Sequence, residues 1–214
     1  MRNRAEDQMN ARQITVAWIR HGETPSNREG RYLGAKDESL SESGAAALSA
    51  DRNRMRYPQI QYLFTSPMRR CVETAKILYP ELRPIVIPEW TETDFGRFEN
   101  KTYDELKEDL CYRAWLDSGG TADIPGGESR AHFILRCRAG MAGMYGELMR
   151  MAEGSGNEPI RAGAIVHGGT IMALLASLSG EDYYEHQAPC GGGYLCRMEG
   201  PCDQEMRIRI VNRL

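Results

Sequence analysis

Three short segments of this chain carry side chains suited to phosphoryl chemistry: Arg20-His21-Gly22, Ser66-Pro67-Met68-Arg69-Arg70 and His167-Gly168-Gly169. A neutral imidazole is a nucleophile, and guanidinium forks match the oxygens of a tetrahedral dianion. Glycines that open a helix leave backbone N–H groups pointing at an anion. A lone Arg-His-Gly would carry little weight, because a histidine after a strand is as often structural as catalytic. What gives the three segments weight is that each follows a short apolar run.

Those runs are the elements that must position the chemistry. Residues 14–19, 62–65 and 162–166 are rich in β-branched and apolar side chains and read as buried strands. A fourth run, 85–87, is held between Pro84 and Pro88. Between the runs lie helical stretches. One begins at the capping Ser41 and extends to about residue 55, and a second has Pro67 in its first turn and carries Arg69, Arg70, Thr74 and Leu78. Others are expected over 102–116, over about 128–152 with Phe133, Cys137, Met141, Met144 and Leu148 at helical spacing, and over 171–178. Residues 22–37 read as loop, and the C-terminal part reads as a two-stranded hairpin. Strands alternating with helices predict an α/β three-layer sandwich with a mostly parallel central sheet covered on both faces, and a ligand site beyond the strand carboxyl ends. There the three segments converge, and a rim with two histidines and several arginines is a pocket for a phosphate ester.

Composition narrows the alternatives. A chain of 214 residues with 41% hydrophobic content suits one domain, 1–214, with 89–127 as an insert or lid. The net charge of -3 argues against a general nucleic-acid or anionic-membrane binder, and the arginines at 52, 54, 56, 207, 209 and 213 lack an interleaved aromatic platform. The first ten residues lack the apolar core of a signal peptide, and no stretch has membrane-spanning length, so a cytoplasmic location is expected. The six cysteines then read as reduced thiols. Cys190, Cys196 and Cys202 with His186 lack the paired spacing of a structural zinc site, so no metal is expected.

The motifs also carry a resemblance. Arg20-His21-Gly22-Glu23-Thr24-Pro25-Ser26-Asn27, with Arg31, Gly34, Asp37 and Leu40 downstream, resembles the signature of the histidine phosphatase superfamily, also called the phosphoglycerate mutase-like family. Ser66 to Ala75 is similar to that family's second arginine motif, Glu92-Thr93-Asp94-Phe95-Gly96 to its acid motif, Pro125-Gly126-Gly127-Glu128-Ser129 to its loop before the long helix, and Val166-His167-Gly168-Gly169-Thr170-Ile171 to its second histidine motif. Five motifs in order are far more specific than one.

The resemblance implies a phosphohistidine on His21, hydrolysed by water. It places Arg20, Arg70 and His167 on the equatorial phosphoryl oxygens and makes Glu92 the general acid and base. Asn27, Thr24 and Gly168 would bind substrate, and so would Arg31, for which a role in loop structure is an equal reading. Arg70 falls on the family's spacing and Arg69 reads as a solvated face. His132 and His186 match no motif. Two places depart from the pattern: Leu33 where a glutamine is common, on the leaving-group side, and Phe98-Glu99-Asn100 where Trp-Glu-Gly is common. The implied reaction is hydrolysis of a small phosphorylated metabolite without metal or cofactor, with α-ribazole phosphatase as one branch. A cofactor-dependent phosphoglycerate mutase and a non-catalytic phospho-ligand scaffold are the alternatives, the mutase disfavoured by the short interval between acid motif and second histidine. The expected partner is a small-molecule phosphate ester, with a homodimer compatible.

Overall fold

Strand β1 (Ile14–Arg20) shows why the sheet is covered on both sides. Successive side chains of a strand point to opposite faces. Val16 and Trp18 enter one apolar cluster while Ala17 and Ile19 enter another, and all four are fully buried. The computed structural model describes residues 13–153, 158–200 and 206–214, so the leader before residue 13 and Cys202 lie outside the described residues.

Six strands form one sheet in the order β3-β2-β4-β1-β5-β6. Strands β1, β2 (Tyr62–Thr65), β3 (Ile85–Val86) and β4 (Ile160–Val166) pair in parallel. The hairpin of β5 (Gly193–Glu199) and β6 (Arg207–Arg213) adds antiparallel to β1. Helices α1 (Pro25–Arg28), α2 (Glu42–Asn53) and α3 (Arg69–Leu78) follow β1 and β2. Leu48 of α2 with Cys71, Ala75 and Leu78 of α3 cover the Ala17/Ile19 face. After β3 come α4 (Tyr103–Leu106), α5 (Leu110–Asp117) and the long α6 (Arg130–Met151), and after β4 comes α7 (Gly168–Ser179). Phe133, Cys137, Met144 and Leu148 of α6 and Ile171, Leu174 and Leu175 of α7 cover the Val16/Trp18 face. The three-layer α/β arrangement with a mostly parallel sheet is thus the one expected from the alternation of strands and helices.

Several local expectations need correction. The helix expected over 102–116 is two helices, because the Asp109 carboxylate accepts from Cys111 N at 2.9 Å and starts a new one. Pro67 lies ahead of its helix, whose N-cap is Met68. The 22–37 loop contains a one-turn helix, α1, because Thr24 and Asn27 form a capping box around Pro25. The final helix starts at Gly168, three residues earlier than expected, so its N-terminus lies against the second histidine.

The segment between β3 and α6 builds its own apolar cluster from Phe98, Leu106, Tyr112 and Ile124, against which Tyr32, Phe95 and Trp115 pack. Trp90 anchors it to the sheet, its ring 5.4 Å from Trp18 in an edge contact. A Cβ at Gly140 would lie 2.6 Å from Trp90 Nε1, so α6 needs glycine there to accept the indole.

Candidate active site

His21 leaves the end of β1 with its backbone N–H donating to Val166 O at 2.9 Å, which ties the first histidine segment to the end of β4. The ring is 3% exposed. Its Nδ1 lies 2.7 Å from Gly22 O, and a carbonyl only accepts, so Nδ1 carries the proton. The opposite atom, Nε2, then holds a lone pair and has no hydrogen-bond partner among the described residues. Burial, reinforced by the charges of Arg70 and Arg20, pushes the imidazole pKa well below its ordinary value. Geometry and electrostatics both keep the ring neutral and nucleophilic at Nε2.

His167 lies beside it, the ring centroids 5.3 Å apart. Arg70 Nε donates to His167 Nδ1 at 3.3 Å, so the proton of the second histidine sits on Nε2 and faces Ser66 Oγ at 2.8 Å. Burial and then Arg70 push this imidazole pKa well below its usual value. Arg70 is fully buried and also donates to Lys36 O at 2.9 Å and Gly34 O at 3.0 Å. Arg69 is at the surface, 3.9 Å from Asp37. The ends of β1, β2 and β4 therefore do meet at one rim. The nitrogens of His167 and three donors of Arg70 are, however, committed to protein groups.

Glu92 arrives from the segment after β3. Its Oε1 accepts from Thr93 N at 2.9 Å and its Oε2 from Gly169 N, at the start of α7, at 3.3 Å. Burial raises its pKa above the ordinary carboxyl value, opposed by the Thr93 bond and by Arg70. A Cβ on Gly169 would run into Glu92 Oε1, so the second glycine of the His-Gly-Gly turn is there to admit the acid.

Arg136 was not among the residues singled out from the sequence. It lies two turns into α6 and holds the acid's loop in place. Its Nη1 donates to Glu89 O at 2.5 Å and Thr91 O at 2.9 Å, its Nη2 reaches Glu92 O at 3.4 Å, and it forms an ion pair with Glu128 at 2.6 Å. His132 adds a bond to Glu128 at 2.8 Å. The only signal in the sequence was the Glu128-to-Arg136 spacing across the start of a helix, which many surface pairs share.

A cavity of about 220 Å³ is walled by Arg20, Asn27, Arg31, Leu33, Glu92 and Gly168, among others. Arg20 donates through Nη1 to Ala188 O at 2.8 Å, while its Nε is buried without a hydrogen-bond partner. A buried guanidinium N–H left open beside a cavity suits an anion. Asn27 uses Oδ1 to accept from Thr24 N at 3.3 Å, which leaves its Nδ2 hydrogens for a ligand. Leu33 is in the wall of this cavity. Thr24 is fully buried and outside this lining, and its hydroxyl accepts from Asn27 N at 3.2 Å. Arg31 borders the cavity, but its guanidinium is held by Glu29 at 2.6 Å, Glu105 at 2.9 Å and Asn100 O at 2.8 Å, which favours the loop-structure reading. Of the residues weighed as zinc ligands, Cys196 lies in the core cluster and the buried His186 has its Nε2 3.1 Å from a Glu181 carboxylate oxygen.

A family model described as histidine phosphatase superfamily (branch 1) matches residues 16–196. The chain is 30% identical over 176 residues to "Probable phosphoglycerate mutase GpmB" of Enterobacter sp. (strain 638), covering 80% of this chain and 77% of that protein. Its fold is similar to the crystal structure of a phosphoglycerate mutase from Thermus thermophilus, with a TM-score of 0.65 and 30% identity over 94% of this chain and 98% of the other. It is also similar to that of the alpha-ribazole phosphatase from Shigella flexneri, with a TM-score of 0.71 over 92% of this chain and 96% of the other; at 23% identity that likeness shows the fold alone.

Proposed function

This chain belongs to the histidine phosphatase superfamily, branch 1, and we propose that it is a phosphomonoesterase that releases inorganic phosphate from a small phosphorylated metabolite through a phosphohistidine on His21. The observation that carries the reading is the His21 Nδ1 bond to Gly22 O, which fixes the tautomer whose Nε2 can attack. In the first step Nε2 forms a bond to phosphorus as the bond to the leaving oxygen breaks, and Glu92 gives that oxygen its proton. In the second step Glu92 takes a proton from water as the water oxygen attacks phosphorus and the N–P bond breaks. A raised carboxyl pKa suits the group that must begin this cycle protonated.

Arg20, Asn27 and the N-terminus of α7 hold the phosphoryl oxygens in this reading, each supported by a donor that no protein group occupies or by the helix dipole. Arg70 and His167 stand one step back and fix the loop and the charge around His21, unless the bound ester draws their donors away from Gly34, Lys36 and Ser66. The 30% likenesses to proteins named as phosphoglycerate mutases favour a second reading, in which the phosphohistidine passes its phosphate to another hydroxyl.

Phosphate release from a panel of monoesters, set against isomerisation of 3-phosphoglycerate with and without a bisphosphate primer, separates the two. Hydrolysis is expected, and primer-dependent isomerisation as the main activity would overturn the phosphatase reading. His21→Ala should abolish turnover. Glu92→Gln should lower kcat/KM, which reads the first step alone, by about 100-fold or more for a poor alkyl leaving group while sparing kcat/KM for an activated aryl phosphate.

A further inference from the structure

Beside this cavity, on the other side of Glu92, lies a larger space of about 590 Å³. The two share Tyr32, Glu92, Phe95, Gly169, Met172 and Gln187, so the carboxyl group stands at their junction. An ester whose phosphate occupied the smaller space would carry its bridging oxygen past Glu92 and its leaving group into the larger one. We propose that the larger space, from its ring-lined walls and scarcity of cations, selects monoesters of alcohols that bear a planar, uncharged aromatic group. The proposal rests on the phosphatase reading above and names the substrate class of that same site.

Six of the side chains in the walls are aromatic rings. Trp115 holds Tyr32 at 5.7 Å and Phe95 at 6.4 Å between ring centroids, each in an edge contact, and Tyr32 and Phe95 are themselves 5.1 Å apart. A second group joins Tyr183 and Tyr184, 5.2 Å apart, with the Arg130 guanidinium over both at 4.3 Å and 5.1 Å. Interlocked rings of this kind present fixed edges and faces, which reward a flat guest more than a puckered one of equal carbon count. The volume falls in the range of pockets that enclose ligands of roughly two fused rings or more.

Charge points the same way. Arg130 is the single cation in the lining, and its guanidinium already donates to Gly119 O and Tyr184 Oη while stacked on the two tyrosines. The acids in the lining are Glu92 and Glu128. A leaving group with its own carboxylate would find no unshared cation in this lining to pair with. That arrangement disfavours glycerate esters.

The test compares naphthylethyl phosphate with its saturated decalinylethyl counterpart, two alkyl esters of similar leaving-group chemistry and equal carbon count, and with 3-phosphoglycerate. The wild-type protein should favour the naphthyl ester by about tenfold in kcat/KM over the saturated one, through KM, and by more over 3-phosphoglycerate. Trp115→Leu, which keeps the apolar volume and removes a ring, should bring the first ratio close to one. Titration calorimetry with the matching naphthyl and decalinyl phosphonates, which cannot be hydrolysed, reads the same preference in Kd without turnover. Phosphate release from both esters at equal rates would overturn the aromatic class and leave the phosphatase reading standing. No release from either, with the phosphonate preference intact, would overturn the phosphatase reading while the ring-lined site stood. Equal Kd values for the two phosphonates would overturn the proposal whatever the turnover.

Discussion

His21 and Glu92 are tuned in opposite directions by the same cause, burial, which disfavours a charged imidazole and a charged carboxylate alike. The lowered imidazole pKa keeps the nucleophile neutral down to pH values below the ordinary histidine range. The raised carboxyl pKa keeps the acid protonated above the ordinary carboxylate range. Attack needs the unprotonated imidazole and departure the protonated carboxyl, so kcat/KM for a poor leaving group should be bell-shaped, falling on the alkaline side as Glu92 loses its proton. After correction for the ester's own ionisation, that alkaline limb should vanish in Glu92→Gln; a limb that persists would assign the proton to another group. Arg136 acts at this scale too, although it touches no substrate. Its bonds to Glu89 O, Thr91 O and Glu128 fix where the carboxyl of Glu92 stands. Arg136→Met should cost about 10- to 100-fold in kcat on alkyl esters and far less on an activated aryl phosphate. Arg136→Lys, which keeps the charge and loses the fork, should fall between. Equal losses on both substrates in a folded variant would show that Arg136 serves stability alone. The Arg136 contacts were not legible in the sequence, because they join a helix face to a loop 44–47 residues away.

The elements that deliver these side chains end where glycine or a cap allows. Helix α7 begins at Gly168, so its free N–H groups and dipole lie at the strand ends, and Gly169 leaves the gap that Glu92 fills. At the far side, Asn100 adopts φ 61°, at the position where the family pattern the sequence resembles would place glycine. Asparagine tolerates this left-handed conformation and a β-branched residue does not. The turn matters because Asn100 O accepts from Arg31 and its N–H donates to Tyr32 O at 2.8 Å, joining the signature loop to the acid segment. Asn100→Gly should fold with little change in the urea midpoint, whereas Asn100→Val should lose about 1–2 kcal/mol of stability. Equal midpoints for the two would remove the conformational argument. The departure at 98–100 was visible in the sequence, but its physical meaning came only from the backbone angle. The split of the 102–116 helix escaped for a related reason: Asp109 reads as a tolerable helix interior residue until its carboxylate is seen capping the next turn.

At the scale of the whole molecule, the site is a product of the sheet order. Strand β4 enters between β2 and β1, so histidines 146 residues apart in the chain come to neighbouring strand ends. A ligand there binds only the folded sheet and must stabilise it. Orthovanadate at 100 times its Kd should add about 2.7 kcal/mol, or roughly 5–11 °C in Tm for a chain of this size. Arg20→Met, which removes the unpartnered guanidinium donor, should lose most of that rise, and an equal rise in the variant would place the anion elsewhere. The sequence alone determined the layered α/β class and the short turns that hold His21, Arg70, Glu92 and His167, because strand periodicity and local motifs are written in contiguous residues. Tertiary structure decided which of their atoms are free. It gave the Thr24 hydroxyl to a cap and the Arg31 guanidinium to carboxylates, turned the donors of Arg70 and His167 toward protein groups, and set Arg136 behind the acid. Those outcomes depend on hydrogen bonds between distant segments, whose partners no local pattern specifies.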